Sequence, residues 1–402
     1  MKVGTTLLAA AVGCLGLVTA AAQSPPRPWT LSAGQNVTHE SNVLNSPRGS
    51  EQSDTVSTTT LSGGLDLTLG RQRAYANASF NHQNFRHLSE RNNDGYALAA
   101  GLNGATVGHL SGSLKLNANR RQADFNVGGV TPVSISNIER SEELALNLGL
   151  GGVGLLGLDL DAGQRKVSFS AIEFASRAYA QDSARLSLAV RPSGIWLLSL
   201  GLGGDRTRFE APAPGQTRAE NSRREDVFVS AVWLPSGLST VSLRLASSRV
   251  QYERSAASNF EGLTGSLAWN WKPTGRLTLN GNLTRESGQE SGFLRLNGGA
   301  SVSATDFSQL SNTQGLRASF DASAKVALSA ALAWAQRGFV DGATAASSSD
   351  KTQSLTVGAR WAATRTLAMT CAATRDERTG SSVNLPSYVG NRVGCTAQLS
   401  LD

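Results

Sequence analysis

Few residues of this 402-residue sequence could catalyse a reaction, because it holds only four histidines and three cysteines. Hydrolysis needs a nucleophile or an activated water beside a general base, usually histidine, and a third group that orients the base. His39, His82 and His87 are the candidate bases. Ser79 and Asp94 are their candidate partners, although the spacing fixes no shared geometry and polar loop residues explain all five equally well. We expect no catalytic residue, no metal site and no cofactor, with a barrel lipase or protease as the enzyme alternative.

Arginine is the second chemically active residue type, since it supplies most of the positive charge behind the net +7 and lysine occurs only six times. Guanidinium groups bind phosphate and carboxylate in a bidentate manner. We expect an arginine collar at the outer ends of the strands to bind lipopolysaccharide phosphates or an acidic polymer, with a solvated rim partly compensated by Glu and Asp as the alternative. The collar comprises Arg86, Arg120, Arg121, Arg177, Arg206, Arg208, Arg223, Arg224, Arg254, Arg337, Arg375 and Arg378. The sequence shows no basic stripe or recognition helix, so we expect no nucleic-acid partner.

The first 22 residues have the order of a secretory signal. Lys2 comes first, an apolar run follows at 7–18, and the small residues Ala20–Ala22 come last. We expect a signal peptide at 1–22 with cleavage near Ala22. Lipoprotein processing at Cys14 is the alternative.

From residue 29 onward, apolar and polar residues alternate in the same way along the whole chain, and no Pro-rich or charge-rich linker divides it. This predicts a short lead at 23–28 and a single domain at 29–402. No segment in it has the roughly 18 continuous apolar residues that a membrane helix needs. A membrane protein with this sequence therefore has to be a β-barrel.

Residues 262–284, GLTGSLAWNWKPTGRLTLNGNLT, show the pattern most clearly. Every second residue belongs to an apolar set rich in Leu and Trp, and the others are mostly Asn, Thr and Ser. Such alternation on both sides of the turn at 272–275 predicts a β-hairpin, because successive side chains of a strand point to opposite faces. In a soluble protein the Leu/Trp face would pack on another sheet. In a membrane barrel it would face lipid, and the Asn/Thr face would line an aqueous lumen.

The same alternation recurs in eighteen segments, which predicts an antiparallel transmembrane β-barrel of about 18 strands. The predicted strands are 29–38, 55–69, 73–85, 94–103, 109–120, 140–151, 154–167, 180–191, 196–209, 224–234, 239–252, 259–271, 276–287, 312–322, 326–338, 351–361, 366–376 and 388–401. Every second connection is tight, and those between are mostly long and polar. Outer-membrane barrels have this asymmetry, with short periplasmic turns and long extracellular loops.

The two faces of the predicted strands carry different residue types. The tryptophans fall on the leucine face, where an indole ring anchors a barrel at the membrane interface; ordinary core packing is the alternative. These are Trp29, Trp196, Trp233, Trp269, Trp271, Trp334 and Trp361. The other face holds hydroxyls and amides, which could exchange water for sugar hydroxyls, or could simply form a wet wall for any small polar solute. These lumen-lining candidates are Ser111, Asn117, Asn119, Asn147, Ser242, Thr278, Asn280, Asn282 and Ser319.

Two further features follow from the predicted last loops. Cys371 and Cys395 are equally far from residue 383 in the final hairpin, so symmetric pairing sets them opposite each other and predicts a structural disulfide. Two reduced apolar thiols are the alternative. The long connection at 288–310 includes the apolar residues Phe293 and Phe307, and we expect it to fold inward and narrow the channel.

Four stretches resemble a known family: SDT at 53–55, LPSG at 234–237, WNWKPTGRL at 269–277 and CTAQL at 395–399. The family is that of outer-membrane β-barrel proteins encoded with bacterial exopolysaccharide biosynthesis genes, within the wider group of β-barrel porins. The resemblance implies a role in assembling or exporting a secreted polysaccharide. The chain departs from outer-membrane barrels in general at its end, LSLD, where an aromatic residue is usual.

The expectation from the sequence is a barrel of the outer membrane that acts as a pore or accessory component for exopolysaccharide assembly or export. Its expected partners are outer-membrane lipid and lipopolysaccharide, the insertion machinery, the secreted polysaccharide and other export-system proteins. A general diffusion porin is the first alternative. A structural or adhesion barrel with a plugged lumen is the second.

Overall fold

A computed structural model describes nine stretches of the chain: residues 28–107, 109–123, 136–151, 155–212, 218–254, 259–287, 310–340, 347–380 and 387–401. In them, eighteen antiparallel strands form one sheet in which each strand pairs with its neighbours in sequence. β1 pairs with β2 on one side and with β18 on the other, so the sheet closes into a barrel. The predicted fold class is confirmed. The predicted signal peptide at 1–22 and nearly all of the lead at 23–28 lie outside the described residues.

The strands are ten to sixteen residues long. In chain order they are β1 Trp29–Glu40, β2 Asp54–Leu69, β3 Gln72–Phe85, β4 Asn93–Ala105, β5 Leu110–Gln122, β6 Ile138–Leu150, β7 Leu156–Phe169, β8 Tyr179–Ser193, β9 Trp196–Phe209, β10 Asn221–Ser236, β11 Ser239–Tyr252, β12 Phe260–Trp271, β13 Leu277–Glu286, β14 Leu310–Asp321, β15 Val326–Val340, β16 Ser347–Ala362, β17 Leu367–Gly380 and β18 Tyr388–Leu401. Two short 3₁₀ helices, η1 at Ser89–Arg91 and η2 at Ile172–Arg177, lie in loops. Among the described residues, no helix is long and apolar enough to cross a membrane.

The register places the leucines of neighbouring strands side by side on one face. Leu188 pairs with Leu200, which in turn pairs with Val229. In a single closed sheet this face has no second sheet to pack against, and its leucines are exposed, for example to 70% at Leu263. Burying such a surface in lipid removes apolar area from water at about 25 cal/mol per Å². The leucine face is therefore the outside of the barrel, and the alternate residues point into the lumen.

The two ends of the barrel differ. At one end, which we call the short-turn end, each hairpin reverses within a few residues, as in the β2–β3 turn, where Gly70 takes the left-handed φ of 63° that glycine favours. β1 begins and β18 ends at this end. At the other, long-loop end, the connections are longer, such as 41–53 and 170–178.

Buried side chains collect inside the long-loop end. Val167, Tyr179 and Phe209, from β7, β8 and β9, form one cluster on the lumenal face. Val43, Val56 and Phe85 form another, which packs the β1–β2 loop onto the wall. The described loops therefore turn partly into the barrel mouth instead of extending into solvent.

The final hairpin has the register that the sequence analysis expects. Cys371 lies directly opposite Cys395, and Leu367 lies opposite Leu399. The two cysteine sulfurs are bonded at 2.13 Å. Both cysteines are on the outer face, between β17 and β18, where the bond cross-links the hairpin that completes the barrel.

The assignment of faces can be tested with two adjacent residues near the middle of β13. Leu283 pairs with Leu267 on the outer face, and Asn282 pairs with Ala268 on the lumenal face. We expect Leu283→Arg to lower the free energy of unfolding by about 2–4 kcal/mol, because arginine facing lipid loses its hydration. Asn282→Arg should remain close to wild type, because the lumen is wet. Urea titration of protein folded in lipid bilayers measures both, and equal losses in the two variants would contradict the assignment.

Candidate functional site

The candidate site is the lumenal wall, and the structure places all nine predicted lumen-lining residues on the face opposite the leucines. They are Ser111, Asn117, Asn119, Asn147, Ser242, Thr278, Asn280, Asn282 and Ser319. Several bond across strands: the Asn270 amide donates to the Asn280 side-chain oxygen at 2.7 Å, and the Asn147 amide donates to Asp161 at 2.9 Å. The wall thus offers donors and acceptors at the surface of an enclosed space.

The tryptophans lie on the outer face. Trp196 stacks on Trp233 with ring centroids 5.4 Å apart, and Trp269 stacks on Trp271 at 5.2 Å. The indole N–H of Trp269 donates to the Ser239 hydroxyl at 3.2 Å. Trp29, Trp196, Trp233, Trp269, Trp271 and Trp361 are at or near the short-turn end, and Trp334, opposite Gln353, lies nearer the long-loop end. An apolar ring with a polar edge suits the boundary between lipid and water.

Charged side chains on the lumenal wall are the main feature that the sequence analysis missed. Near the long-loop end, Arg121 pairs with Glu139 at 3.0 Å, and Arg185 lies 3.7 Å from Asp205. These residues could have been found from the sequence, because each lies an odd number of residues from the outward-facing leucines of its own strand and therefore shares the lumenal face with the predicted Asn and Ser positions. The sequence analysis considered only neutral groups for that face.

One such network occupies the wall at β10–β13. The Arg224 guanidinium donates to Asp226 at 2.8 Å and to the Ser287 carbonyl at 3.0 Å. It also donates to the hydroxyls of Ser248 and Thr264, at 3.0 and 3.3 Å. A buried charge is tolerated only when it is paired and hydrogen-bonded, and this arrangement meets that condition.

The arginines of the expected collar divide into an exposed set and a buried set. Arg206, Arg223 and Arg375 are exposed on the outer face. Arg177, Arg224, Arg337 and Arg378 are buried inside the mouth, so they do not form a solvated outer rim. Successive side chains of a strand point to opposite faces, so in β10 Arg223 points outward and Arg224 points inward.

The β7–β8 loop at 170–178 folds into the lumen. The Asn137 side-chain oxygen accepts from the N–H of Ala171 at 3.1 Å, and the N–H of Ser170 donates to the Ile138 carbonyl at 3.0 Å. Phe174 of η2 is only 2% exposed and packs against Phe169, with ring centroids 5.7 Å apart. These contacts hold η2 against the barrel wall at the long-loop end.

The end of η2, at Arg177, is buried at the long-loop end of the barrel. Arg177 is buried, and burial together with the positive charge of Arg378 lowers the pKa of its guanidinium to about 9. Arg378 is on β17, nine strands from β8 in a ring of eighteen, and therefore on the opposite side of the barrel. The segment at 288–309, within the loop expected to narrow the channel, lies outside the described residues.

The three candidate histidines make separate contacts, and His82 lies on the opposite face of the sheet from the candidate nucleophile Ser79. His82 is on the outer face and its Nδ1 is 2.8 Å from Asp94, whereas Ser79 is on the lumenal face of the same strand. His87 contacts Asp54, and His39 contacts Thr55. Because Ser79 and His82 are on opposite sides of the sheet, they cannot form one hydrolytic centre.

Comparisons with known proteins add a likeness of fold. No protein-family model matches the sequence, and the comparison with curated proteins finds no match. Among solved structures, OccK2 (OpdF) of Pseudomonas aeruginosa in complex with glucuronate is similar at a TM-score of 0.49 and 15% identity, over 93% of this chain and 98% of that one. The outer membrane protein opdK of Pseudomonas aeruginosa is similar at 0.49 and 11% identity, over 93% and 99%.

The FrpB iron transporter of Neisseria meningitidis is similar at a TM-score of 0.46 and 11% identity, over 89% of this chain. The chain spans only 63% of the FrpB chain, less than two thirds of its length. At these sequence identities and TM-scores, the solute of a similar protein cannot be assigned to this chain. The description of the barrel rests on its own strand pairing.

The seating of η2 can be tested by proteolysis. We expect Phe174→Ser to release η2 from the lumen, because a buried ring and its contact with Phe169 are lost, and trypsin should then cleave after Arg177. Ile172→Ser is the matched control in the same helix, since Ile172 is 81% exposed and anchors nothing. Mass spectrometry of the digested barrel in lipid measures the cleavage. Equal cleavage after Arg177 in wild type and in both variants would contradict a seated helix.

Proposed function

We propose that this chain is an outer-membrane channel for polar solutes of sugar size, and that it serves as a pore or accessory component for exopolysaccharide assembly or export. The observation that carries the channel is the closed, two-faced wall, with leucines outside and hydroxyls and amides inside. Eighteen strands enclose a lumen wide enough for water. Such a wall can replace water at a sugar with little loss of hydrogen bonding.

The membrane setting is supported by three features of the outer surface. The leucine belt would be costly in water, a closed barrel leaves no sheet edge unpaired in lipid, and the tryptophans gather near the short-turn end. On this proposal the short-turn end faces the periplasm and the long-loop end faces outward. The partners are outer-membrane lipid and lipopolysaccharide, the insertion machinery and, for export, the secreted polysaccharide and other proteins of the system.

The exopolysaccharide role is supported by the resemblance of the segments at 53–55, 234–237, 269–277 and 395–399. A general diffusion porin shares every physical feature described above, so a genetic measurement has to separate the two. We propose that the chain is not an enzyme, in keeping with the separation of Ser79 from His82 across the sheet.

A plugged structural or adhesion barrel is the second candidate, because one observation favours it. Side chains from two loops fill the mouth: Arg91 of η1 is 1% exposed, and Phe174 of η2 is 2% exposed. In such a barrel these loops would block ions as well as sugars. Conductance therefore separates a plugged barrel from a constricted channel.

The proposal predicts steady single-channel conductance for the wild-type protein in planar bilayers. It also predicts that Phe174→Ser will raise that conductance and speed the swelling of liposomes in sugar solutions, because η2 then leaves the lumen. Ile172→Ser should behave as wild type. A wild-type protein that conducts no ions would support the plugged barrel and contradict the channel.

Deletion of the gene separates the two kinds of channel. Loss of secreted polysaccharide, restored by the wild-type gene, is expected for a component of export. Unchanged polymer with slower uptake of small polar solutes would identify a general porin.

A further inference from the structure

The turns at the short-turn end carry charge of one sign only. Eight turns join neighbouring strands there, at residues 70–71, 106–109, 151–155, 194–195, 237–238, 272–276, 322–325 and 363–366. Their sequences contain no Asp or Glu and five cationic residues, which are Arg71, Lys272, Arg276, Lys325 and Arg365. The long-loop end differs, because it also carries acidic residues and pairs them with arginines, as Glu261 with Arg249 at 3.0 Å.

The five cations are confined to one side of the ring. They belong to four turns that follow one another around the barrel from β12 to β3, at 272–276, 322–325, 363–366 and 70–71. The N–H of Asp321 donates to the Arg276 carbonyl at 2.8 Å, which joins the first two turns. The N–H of Ala362 donates to the Lys325 carbonyl at 2.8 Å, which joins the second turn to the third. The other four turns contain no Lys, Arg, Asp or Glu. We name the five cations the basic arc.

The basic arc is exposed, and acids of the described residues do not neutralise it. All five side chains are exposed, and none forms an ion pair with a described residue. Two of them donate to backbone carbonyls of neighbouring turns, Arg71 at 3.2 Å and Lys325 at 3.4 Å, and so keep their charge. The described acids at the adjoining strand ends, Asp66 and Asp321, are on the lumenal face, and Asp66 pairs with Arg73.

Each cation of the basic arc is close in sequence to an apolar side chain that faces outward. Lys272 follows Trp271, and Arg365 comes two residues before Leu367. The remaining pairs are Arg71 with Leu69, Arg276 with Leu277 and Lys325 with Val326. Because these turns have only two to five residues, the cations stay near the edge of the leucine belt. Lys and Arg suit that position, since their stems lie along apolar surface while their charged groups stay in water.

Anionic phospholipids have the chemistry that such a border selects. The headgroup of phosphatidylglycerol is a phosphodiester with no amine to balance its charge, whereas phosphatidylcholine and phosphatidylethanolamine each carry a cationic amine. A guanidinium offers paired N–H donors to phosphate oxygens, and an ammonium attracts phosphate as a point charge. Basic residues at a membrane surface therefore favour anionic lipid.

A protein partner fits the basic arc less well. Protein interfaces depend on aromatic and apolar anchors that are buried at their centre. The four turns read GR, KPTGR, ASAK and ATRT, and they contain no aromatic residue and no large apolar one. Their apolar neighbours belong to the strands and face lipid instead of the periplasm.

We propose that the basic arc binds the headgroups of anionic phospholipids, such as phosphatidylglycerol, in the leaflet around the short-turn end. This inference rests on the proposed membrane setting and goes beyond it by naming the lipid and its site. It also gives the barrel two unlike sides. The side from β12 to β3 selects anionic lipid, and the side from β4 to β11, whose turns have no Lys, Arg, Asp or Glu, does not.

Quenching of tryptophan fluorescence by brominated lipids tests the proposal, because six of the seven tryptophans are at or near the short-turn end. The protein is folded into phosphatidylcholine vesicles that contain increasing fractions of dibrominated phosphatidylglycerol or dibrominated phosphatidylcholine. Wild type should bind the anionic lipid roughly twofold to fivefold more tightly, since one Lys or Arg at the surface favours it about fivefold and the signal also includes the uncharged side. About 1 M salt should remove most of this preference by screening.

The reporters can also locate the preference. Trp196 and Trp233 are on β9 and β10, next to turns without charge. Replacing both, as Trp196→Phe with Trp233→Phe, leaves mainly the reporters on the side of the basic arc. The measured preference for phosphatidylglycerol should then rise above that of wild type, and a fall would contradict the assigned side.

Two variants with equal changes in net charge isolate the basic arc. The arc variant should lose the preference, and it combines Lys272→Gln, Arg276→Gln, Lys325→Gln and Arg365→Gln. The control variant should keep the preference, and it removes four exposed outer-face arginines at the long-loop end through Arg206→Gln, Arg223→Gln, Arg249→Gln and Arg375→Gln. Gel mobility without heating checks that each variant is folded. Arg365→Gln alone should lower the preference, whereas Arg365→Lys should retain it, which gives a second test with a single substitution.

The outcomes separate this inference from the channel. Equal binding of the two lipids by wild type, an unchanged preference in the arc variant, or an equal loss in the control variant overturns the lipid site and leaves the channel standing. Binding of soluble polygalacturonate that the arc variant loses, without any lipid preference, overturns it in favour of an acidic polymer. A wild-type protein that does not insert into vesicles overturns the membrane setting and the lipid site together.

Discussion

Closure of the sheet is the constraint on which the rest of this structure depends. Backbone N–H and C=O groups find no water inside a membrane, so a sheet can cross one only if its first and last strands pair. Here β1 pairs with β18 from Leu31–Leu401 to Glu40–Arg392, and no edge remains between them. Once the sheet is closed, every strand has one side facing outward and one facing inward. The alternate apolar residues of each strand then face lipid, and the residues between them face the lumen.

Charge at the mouth depends on this closure as well. Arg177 and Arg378 are about 200 residues apart in sequence and belong to opposite sides of the ring, yet both are buried at the long-loop end. Within the wall, pairs such as Arg392 and Asp376, 2.6 Å apart, join adjacent strands and hold the lumenal charges in fixed positions. Loops anchored in the same space then decide which part of the lumen stays open. The described mouth is thus both the most buried and the most charged part of the barrel.

Most of the fold could be predicted from the sequence because alternation is a local signal. Every predicted strand corresponds to an observed one, and β9, β11 and β18 have the predicted bounds. The largest differences are four residues, where β16 begins at Ser347 and β17 continues to Gly380. Both are at the long-loop end, where polar residues occupy both faces and alternation disappears although the backbone pairing continues. The lumenal Asn and Ser positions followed from the same parity.

The mouth could not be predicted in the same way. η2 is six residues long, and Phe174 is its only deeply buried apolar anchor in the described structure, so no periodic pattern indicates that it folds inward. The burial of Arg177 and Arg378 depends on how loops and neighbouring strands pack at the long-loop end, which sequence spacing does not report. The sequence analysis therefore placed both arginines in a collar at the outer ends of the strands, without predicting that they are buried. It also named the segment 288–310 as the constriction, on the basis of its apolar residues.

The central claim is that alternate residues of each strand face lipid and water, and spin labels along β13 test it most directly. Single cysteines placed in turn at positions 277–286 would be labelled in protein folded in lipid bilayers, with Cys371 and Cys395 held in their disulfide. Oxygen concentrates in lipid and a water-soluble nickel complex does not, so their effects on each label report its surroundings. We predict high oxygen accessibility at odd positions such as Leu283 and high nickel accessibility at even positions such as Asn280 and Asn282. Accessibilities that do not alternate along the strand would contradict the account.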